Sequence, residues 1–301
     1  MRGDLAALEV LRPRRLAEAL AALADSDRPC PSAGGTDLYV ALNEGRAPAR
    51  RFLDLSRLDE LTGLETTPSG LRLGARTTYT ELRASRLVRR RAPVLAEMAA
   101  TVGAIAIQNR GTLGGSLGNA SPASDPAPVL LALDAAVELA ARDGRRVVRR
   151  RVPLDRFFIG YRETAARPDE LIVAVLLPSS ALEGWRYAYR KVGTRRAQAI
   201  SKVVAAVGLE LGARPRRIAA ARIAYGSMAP TPVRARAAEA ALAGRAPTSA
   251  AGRAAARALL AEDLHPIDDL RSSADYRALV AGRLLESLLA ALGGFRPGRA
   301  D

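Results

Sequence analysis

Apolar positions along the chain follow a helical spacing in some stretches and a strand-like spacing in others. Residues 13–24, with proline in the first turn, and residues 93–102 have the helical spacing and predict helices. Residues 51–58 predict a strand, and the run LIVAVLLP at 171–178, bounded by proline, is typical of a buried strand. Because both patterns occur without a regular βαβ series, the sequence predicts an α+β fold.

Two stretches carry turn signals between alternating runs. One hairpin is predicted around residues 68–70 and another at Asp143-Gly144. After Pro178 the pattern restarts with new apolar runs and ends in an alanine-rich tail that predicts helix from about Arg234 onwards. A chain of 301 residues is longer than one average domain, so we predict two domains with a boundary near Pro178.

Composition limits the classes of partner. Hydrophobic residues make up 49% of the chain and aromatic residues only 4%, so the core must consist mostly of alanine, valine and leucine. The formal net charge of +15 is almost entirely arginine, since Lys191 and Lys202 are the only lysines. Such a charge favours a nucleic acid or another polyanion. The arginine runs at 89–92 and 145–152 contain no aromatic residues to stack on bases, so we expect no nucleic acid.

The chain has one cysteine, Cys30, and one histidine, His265. These counts exclude a disulfide, a CxxC pair and the ligand spacing of a zinc or iron–sulfur site, so any metal chemistry would belong to a partner. We interpret Cys30 as a small buried residue rather than a redox thiol. The sequence shows neither a signal peptide nor a long apolar run, which predicts a cytoplasmic protein without a membrane span.

Residues 112–125, TLGGSLGNASPASD, consist almost entirely of glycine, alanine and short polar side chains. This composition predicts a bare loop whose backbone amides approach a phosphate, with Gly114 and Gly115 leaving the backbone open. Short hydrogen-bond donors are supplied by Ser116, Asn119, Ser121 and Ser124. Asp125 would accept a hydrogen bond from a ligand hydroxyl and precede a helix.

Residues 32–38, SAGGTDL, have the same character. Gly34 and Gly35 lead into a predicted helix that Thr36 or Asp37 would cap. Two small-residue turns would suit a ligand with two phosphates. Neither turn carries the GK[ST] of a P-loop or the GxGxxG of a Rossmann fold, so that kind of nucleotide site is not expected. The alternative is that both segments are only tight connections.

Several motifs follow one another along the chain in an order that resembles a known protein family. AGGTDL at 33–38, followed by QNRGTLGGSLGNASPASD at 108–125, resembles the flavoprotein subunit of the molybdenum hydroxylases. YRKVGTRRAQAISKV, YGSMAPTPVRA and SSADYRALVAGRLL follow in family order at 189–203, 225–235 and 272–285, so the resemblance covers essentially the whole chain. Ser116 and Gly118 stand where the family often has Asn and Ala.

The resemblance implies the architecture. It implies a two-part FAD-binding domain of the PCMH type, similar to vanillyl-alcohol oxidase, over residues 1–178, with subdomains of about 1–55 and 56–178. A smaller α+β domain of the carbon monoxide dehydrogenase flavoprotein type would follow over residues 179–301.

The resemblance also implies where FAD lies. The first glycine turn and the start of the second segment would hold the pyrophosphate, and Asp125 would meet the ribose or ribityl region. Ile172 would contact the adenine or ribityl part, Lys191 would reach in from the second domain, and Ile200 would pack on the isoalloxazine ring. The predicted cofactor-binding residues are Ser32, Ala33, Gly34, Gly35, Thr36, Asp37, Leu38, Thr112, Gly114, Gly115, Ser116, Asn119, Ser121, Asp125, Ile172 and Lys191. No residue is assigned as a catalytic acid, a catalytic base or a metal ligand.

The function implied by the resemblance is electron transfer within an oxidoreductase. A partner large subunit would carry molybdopterin and oxidise the substrate, and a small subunit with two two-iron two-sulfur clusters would pass electrons to FAD, in a dimer of heterotrimers. Neither the substrate nor the electron acceptor, whether NAD, a quinone or a cytochrome, follows from the sequence. Two alternatives stay open: a self-sufficient FAD-dependent oxidoreductase and a polyanion-binding module.

Overall fold

The computed structural model describes residues 8–46, 48–212 and 217–295, and it has the predicted α+β architecture. The N-terminal elements are β1 (Glu9–Leu11), α1 (Leu16–Ala24), β2 (Cys30–Ser32), α2 (Leu38–Asn43) and β3 (Arg51–Asp54). The three strands form a parallel sheet in the order β1-β3-β2. One face of α1 is apolar and packs on this sheet around the buried Leu53.

Two predicted boundaries in this region are corrected. The helix predicted from residue 13 begins at Leu16, because Arg15 still has an extended backbone. The strand predicted over 51–58 ends at Asp54, whose carboxylate accepts a hydrogen bond from Ser56 N at 2.9 Å and starts a 3₁₀ turn.

The middle of the chain is built on a five-stranded antiparallel sheet. Its elements are β4 (Leu64–Thr67), β5 (Gly70–Gly74), α3 (Tyr79–Ala84), α4 (Arg86–Arg91), α5 (Pro93–Ala99), α6 (Ile105–Arg110), α7 (Leu113–Asn119), α8 (Pro126–Ala132), β6 (Ala136–Asp143), β7 (Arg146–Pro153), β8 (Phe158–Gly160), β9 (Glu163–Thr164) and β10 (Leu171–Pro178). The strand order is β4-β5-β10-β6-β7, and β8 pairs only with β9. Both predicted hairpins and the predicted buried strand are present, while α5 ends earlier than predicted.

The last part of the chain forms a four-stranded antiparallel sheet covered by helices. Its elements are β11 (Trp185–Val192), β12 (Val203–Leu211), β13 (Ile218–Gly226), β14 (Val233–Arg234), α9 (Arg236–Ala240), α10 (Ser249–Ala258) and α11 (Ala274–Gly293). The tail predicted to be helical is interrupted before α11. The interruption follows Asp263, whose carboxylate accepts the amides of Ala237 and Ala238 at 3.1 and 2.9 Å.

The two halves share one buried surface. Ala206 of β12 and Ala224 of β13 belong to the same apolar cluster as the core of the five-stranded sheet. Ser227, just after β13, donates its amide to Pro122 O at 2.8 Å, next to α8. Among the described helices, none is both long and apolar enough to cross a membrane.

Candidate functional site

The glycine-rich segment predicted to be a bare loop is largely helical, since residues 113–119 form α7. That prediction is wrong because neighbouring groups satisfy the first helical turn. Gly114 donates its amide to Ala75 O at 2.8 Å, and Gly115 donates to the capping hydroxyl of Thr112 at 3.0 Å. A Cβ at Gly114 would lie 2.7 Å from Ala75 Cβ, so glycine permits close packing here. These two amides are therefore not free to bind a phosphate.

The turn between β2 and α2 is open instead. In the described part of the chain, the backbone amides of residues 34–38 donate to no acceptor. Gly35 has a φ of +77°, a left-handed conformation that glycine adopts without strain. The predicted side-chain cap from Thr36 or Asp37 is absent, because Asp37 already has a helical backbone and cannot reach the first turn.

The two small-residue segments meet at Gly34. A Cβ on this residue would lie 1.9 Å from the carbonyl oxygen of Arg110, so only glycine fits. Arg110 ends α6 and is followed closely by Thr112, which pairs with Thr78 in a β-bridge. The open turn at 33–37 therefore lies against the entry to α7. Consecutive amides without a protein acceptor suit an anion, so the residues present fit the pyrophosphate of FAD.

Other predicted site residues lie along and beyond α7. The hydroxyls of Ser116 and Ser124 are 3.0 Å apart, and Ser121 Oγ accepts from a neighbouring backbone amide at 3.3 Å. Ile172 of β10 reaches the far end of the helix, where its Cδ1 lies 3.7 Å from the position of a Cβ on Gly118. The structure therefore brings Ile172 next to the segment at 112–125.

Arg162 is a neighbour of the site that sequence reasoning missed. Its Nη1 donates to the side-chain oxygen of Asn119 at 2.7 Å. The two residues come from the end of α7 and the tip of the β8–β9 hairpin, and no motif links them. An arginine in a short turn between two strands carries no signal that separates it from the many other arginines of this sequence.

Asp125 and Lys191 form a buried ion pair between the two halves of the chain. Lys191 Nζ donates to Asp125 Oδ2 at 2.5 Å and to Thr101 O at 3.0 Å, while the Ser201 hydroxyl donates to Asp125 Oδ1. The side chains of Asp125 and Lys191 are 8% and 10% exposed. Burial raises the pKa of Asp125, and Lys191 and Ser201 offset part of that rise. Both carboxylate oxygens thus already have partners within the chain.

Two tyrosines border this pair, the buried Tyr79 and the partly buried Tyr189. Burial raises the pKa of the Tyr79 phenol, which lies beside Ser116. Burial also raises the pKa of Tyr189 well above its ordinary value, and its hydroxyl lies 3.0 Å from Thr101 Oγ1. Both phenols therefore stay protonated at neutral pH. Sequence reasoning missed them, although the scarcity of aromatic residues is a signal that could have found them.

A cavity of about 300 Å³ opens beside the ion pair. Its lining includes Thr101, Lys191 and residues of the loop at 193–199, among them Arg195. Ile200, which the resemblance places against the isoalloxazine ring, follows this loop and is 55% exposed. A cavity of this size admits part of a flat cofactor ring.

Metal-binding groups do not cluster in the part of the chain that the structure describes. Cys30 is a partly exposed free thiol whose pKa is raised by burial. It is therefore less buried than the sequence interpretation proposed. His265 is exposed, and its amide donates to Met228 O at 3.0 Å.

Two family models match consecutive parts of the chain. The model described as FAD binding domain in molybdopterin dehydrogenase matches residues 6–180, and the model described as CO dehydrogenase flavoprotein C-terminal domain matches residues 187–292. These matches define a flavoprotein with two domains. The chain belongs to the family of FAD-binding subunits of the molybdenum hydroxylases, which are oxidoreductases, and its cofactor is FAD.

Named relatives agree with the family. The chain is 31% identical over 257 residues to the carbon monoxide dehydrogenase medium chain of Hydrogenophaga pseudoflava, covering 85% of this chain and 86% of that one. It is 30% identical over 288 residues to the xanthine dehydrogenase FAD-binding subunit of Escherichia coli O157:H7, covering 94% and 96%. By their names, these relatives are subunits of larger dehydrogenases.

Solved structures give the same fold. A structure of carbon monoxide dehydrogenase from Hydrogenophaga pseudoflava lacking the Mo-pyranopterin moiety matches with a TM-score of 0.88 and 33% identity, covering 95% of this chain and 97% of that one. Quinoline 2-oxidoreductase from Pseudomonas putida 86 matches with a TM-score of 0.87 and 26% identity, covering 95% and 97%. The predicted fold, an FAD-binding domain followed by a C-terminal domain, is confirmed.

Proposed function

We propose that this chain is the electron-transferring flavoprotein subunit of a cytoplasmic, molybdenum-dependent dehydrogenase. In this role it holds FAD between the two-iron two-sulfur clusters of a small partner subunit and an external electron acceptor, while a molybdopterin-binding large subunit oxidises the substrate. When bound, FAD supplies electron transfer in one-electron and two-electron steps. The proposed assembly is a dimer of heterotrimers, with the domain boundary of this chain at residue 178.

The open turn at residues 33–37 is the observation that carries this proposal. Its amides lack acceptors in the described chain, and glycine at position 34 lets the turn lie directly on Arg110. We place the FAD pyrophosphate on these amides, with Ser32 and Leu38 at the ends of the turn. The seven residues from 32 to 38 thus keep the role that the resemblance implies for them.

The remaining predicted contacts take different roles. Thr112, Gly114 and Gly115 shape the wall of the site, because their hydrogen bonds are made within the chain. Ser116 and Ser121 offer short hydroxyls along the wall, and Asn119 and Ile172 lie at its far end.

Lys191 and Asp125 close the side towards the cavity at 193–199, where the flavin ring would sit. The buried pair holds the two halves of the chain together at this point. It thereby excludes water from the inner side of the cavity.

A charge placed on the open turn tests the site. Thr36 is partly buried in the turn, and Thr36→Glu would place a carboxylate beside the pyrophosphate. We expect Thr36→Glu to weaken FAD binding by at least about tenfold, and the neutral control Thr36→Gln to weaken it far less. Flavin fluorescence quenching on the flavin-depleted full-length chain measures both. Equal affinities for the two variants would place the pyrophosphate elsewhere.

The electron-transfer role needs the assembled complex. Anaerobic addition of the substrate should bleach the flavin absorbance in the complex with both partners, but not in this chain alone. Bleaching in the isolated chain would favour a self-sufficient oxidoreductase instead.

A further inference from the structure

The tip of the β8–β9 hairpin is a two-residue turn, Tyr161-Arg162. Arg162 has a φ of +56°, in the left-handed region. A side chain with a Cβ is disfavoured in this region, where glycine would fit without strain. Strained residues that persist in a fold often serve a binding site.

The base of the hairpin explains how the strain is maintained. Phe157 is fully buried and packs edge to face on Phe158, with ring centroids 5.4 Å apart. Ala165 donates its amide to Phe157 O at 2.8 Å and closes the base. The turn is therefore held by a packed base and cannot relax freely.

The Arg162 guanidinium is directed at the end of α7. Its Nη1 donates to the side-chain oxygen of Asn119 at 2.7 Å, and its Cζ lies 5.9 Å from the centre of the Tyr161 ring. Because the Asn119 oxygen faces Arg162, its amide NH₂ can be presented to a ligand. Arg162 forms no ion pair with a carboxylate in the described ranges, so its charge is not neutralised there.

Arg150 of β7, by contrast, already pairs with a carboxylate of the chain. It donates to both carboxylate oxygens of Glu170, at 2.5 and 2.6 Å. The remaining N–H groups of the Arg162 guanidinium are therefore available to hydrogen-bond an external acceptor, whereas the guanidinium of Arg150 is held by Glu170.

We propose that Arg162, together with Asn119, binds the adenylate half of FAD and makes the site selective for FAD over FMN. The proposal rests on the cofactor placement proposed above. With the pyrophosphate on the turn at 33–37 and the flavin ring at the cavity beside Lys191, the adenylate half extends along α7 towards its far end. A helix of this length spans about 10 Å, which matches the reach of one nucleotide. At that end the guanidinium donates to the ribose hydroxyl oxygens and to the ring nitrogens of adenine.

Affinities for FAD and FMN test the proposal, since FMN lacks the adenylate half. In the full-length, flavin-depleted chain, Arg162→Ala should weaken FAD binding by about tenfold and leave FMN binding unchanged. Arg145→Ala is the matched control, because Arg145 is an exposed arginine in the turn of the β6–β7 hairpin. It should leave both affinities unchanged.

Arg162→Gly separates binding from folding. Glycine relieves the left-handed strain, so the melting temperature of the flavin-free chain should rise while FAD affinity falls as it does in Arg162→Ala. If Arg162 has only a structural role, Arg162→Gly should instead lower the melting temperature, and the affinities for FAD and FMN should fall together. That result, or wild-type FAD affinity in Arg162→Ala, would overturn the proposal.

Comparison with Thr36→Glu separates the role of Arg162 from the placement of the pyrophosphate. If Thr36→Glu loses FAD while Arg162→Ala retains it, the role of Arg162 is wrong and the pyrophosphate site stands. If neither variant alters FAD affinity, the placement of the cofactor fails as well. Loss of FAD selectivity in Arg162→Ala alongside loss of FAD in Thr36→Glu supports both.

Discussion

Lys191 Nζ lies 2.5 Å from Asp125 Oδ2, and this contact joins β11 of the C-terminal sheet to the residue that precedes α8. Ser201 completes the cluster from the loop before β12. Two oppositely charged groups with little exposure stabilise each other only as a pair, because each has lost its contact with water. A change that breaks the pair should therefore lower the stability of the chain and also alter the cavity that Lys191 lines.

Lys191→Met should be strongly destabilising. It leaves the Asp125 carboxylate buried without its cation, and we expect the free energy of unfolding to fall by about 3–5 kcal/mol. The double variant Asp125→Asn/Lys191→Met should recover part of this loss, since it buries no charge. Urea unfolding at neutral pH measures all three proteins. Lys202→Met is the matched control: Lys202 lies 5.2 Å from the centre of the Tyr276 ring, and its loss should cost less than about 1 kcal/mol.

The same pair predicts a pH dependence. Burial raises the pKa of Asp125 in the folded chain above its unfolded value, so the folded state keeps the proton to higher pH. Between the two pKa values the unfolded state binds fewer protons, and stability falls as pH rises. Removing Lys191 takes away a group that lowers this pKa, which extends the window upwards.

The melting-temperature deficit of Lys191→Met should therefore be smallest in acid and grow as pH rises from about 4 to 8. Differential scanning fluorimetry across this range measures it. The double variant Asp125→Asn/Lys191→Met should show no such trend relative to the wild type. A deficit that shrinks with rising pH would mean that Asp125 is not the titrating group.

Sequence patterns predicted the elements well where local rules decide. The apolar run at 171–178 is the central strand β10, and Asp143-Gly144 lies at a hairpin turn. The sequence patterns did not predict α7, because its three glycines and short polar side chains favour a loop by propensity. The acceptor at Ala75 and the cap at Thr112 reverse that preference, and the Ala75 contact is tertiary.

In the candidate site, too, some residues could be predicted from the sequence and others depend on tertiary contacts. The open turn at 33–37 was predictable, because consecutive glycines permit the backbone conformation it needs. Arg162 was not, since its importance lies in a contact with Asn119 across a long sequence separation. The resemblance indicated Lys191, but its burial against Asp125 required the assembled fold.

Gly34→Ala tests the contact between the two small-residue segments. A Cβ there would meet the Arg110 carbonyl oxygen at 1.9 Å, so the turn must move away from the end of α6. We expect a stability loss of about 1–3 kcal/mol and strongly reduced FAD uptake. Gly118→Ala is the control, because its Cβ would meet only Ile172 Cδ1, at an ordinary 3.7 Å, and helical alanine is favourable. Thermal unfolding and flavin absorbance measure both variants; normal flavin uptake by Gly34→Ala would remove the turn from the site.

Arg234 provides a second link between the halves of the chain. From β14 it donates to Leu131 O in α8 at 3.0 Å and to Asp134 Oδ1, just after α8, at 2.5 Å, and it also pairs with Glu239. Its side chain is 8% exposed, whereas that of Arg236 is 59% exposed. Arg234→Met should therefore lower the free energy of unfolding by about 3 kcal/mol, and Arg236→Met by less than about 1 kcal/mol.

The two variants should also differ in cooperativity. Trp185, the single tryptophan, lies in β11 and reports on the C-terminal sheet, while circular dichroism reports on the whole chain. In the wild type and in Arg236→Met, the two urea transitions should coincide. In Arg234→Met they should separate, because the broken contact lets one half unfold before the other. Coincident transitions in Arg234→Met would show that the apolar surface shared through Ala206 and Ala224, rather than this ion pair, couples the two halves.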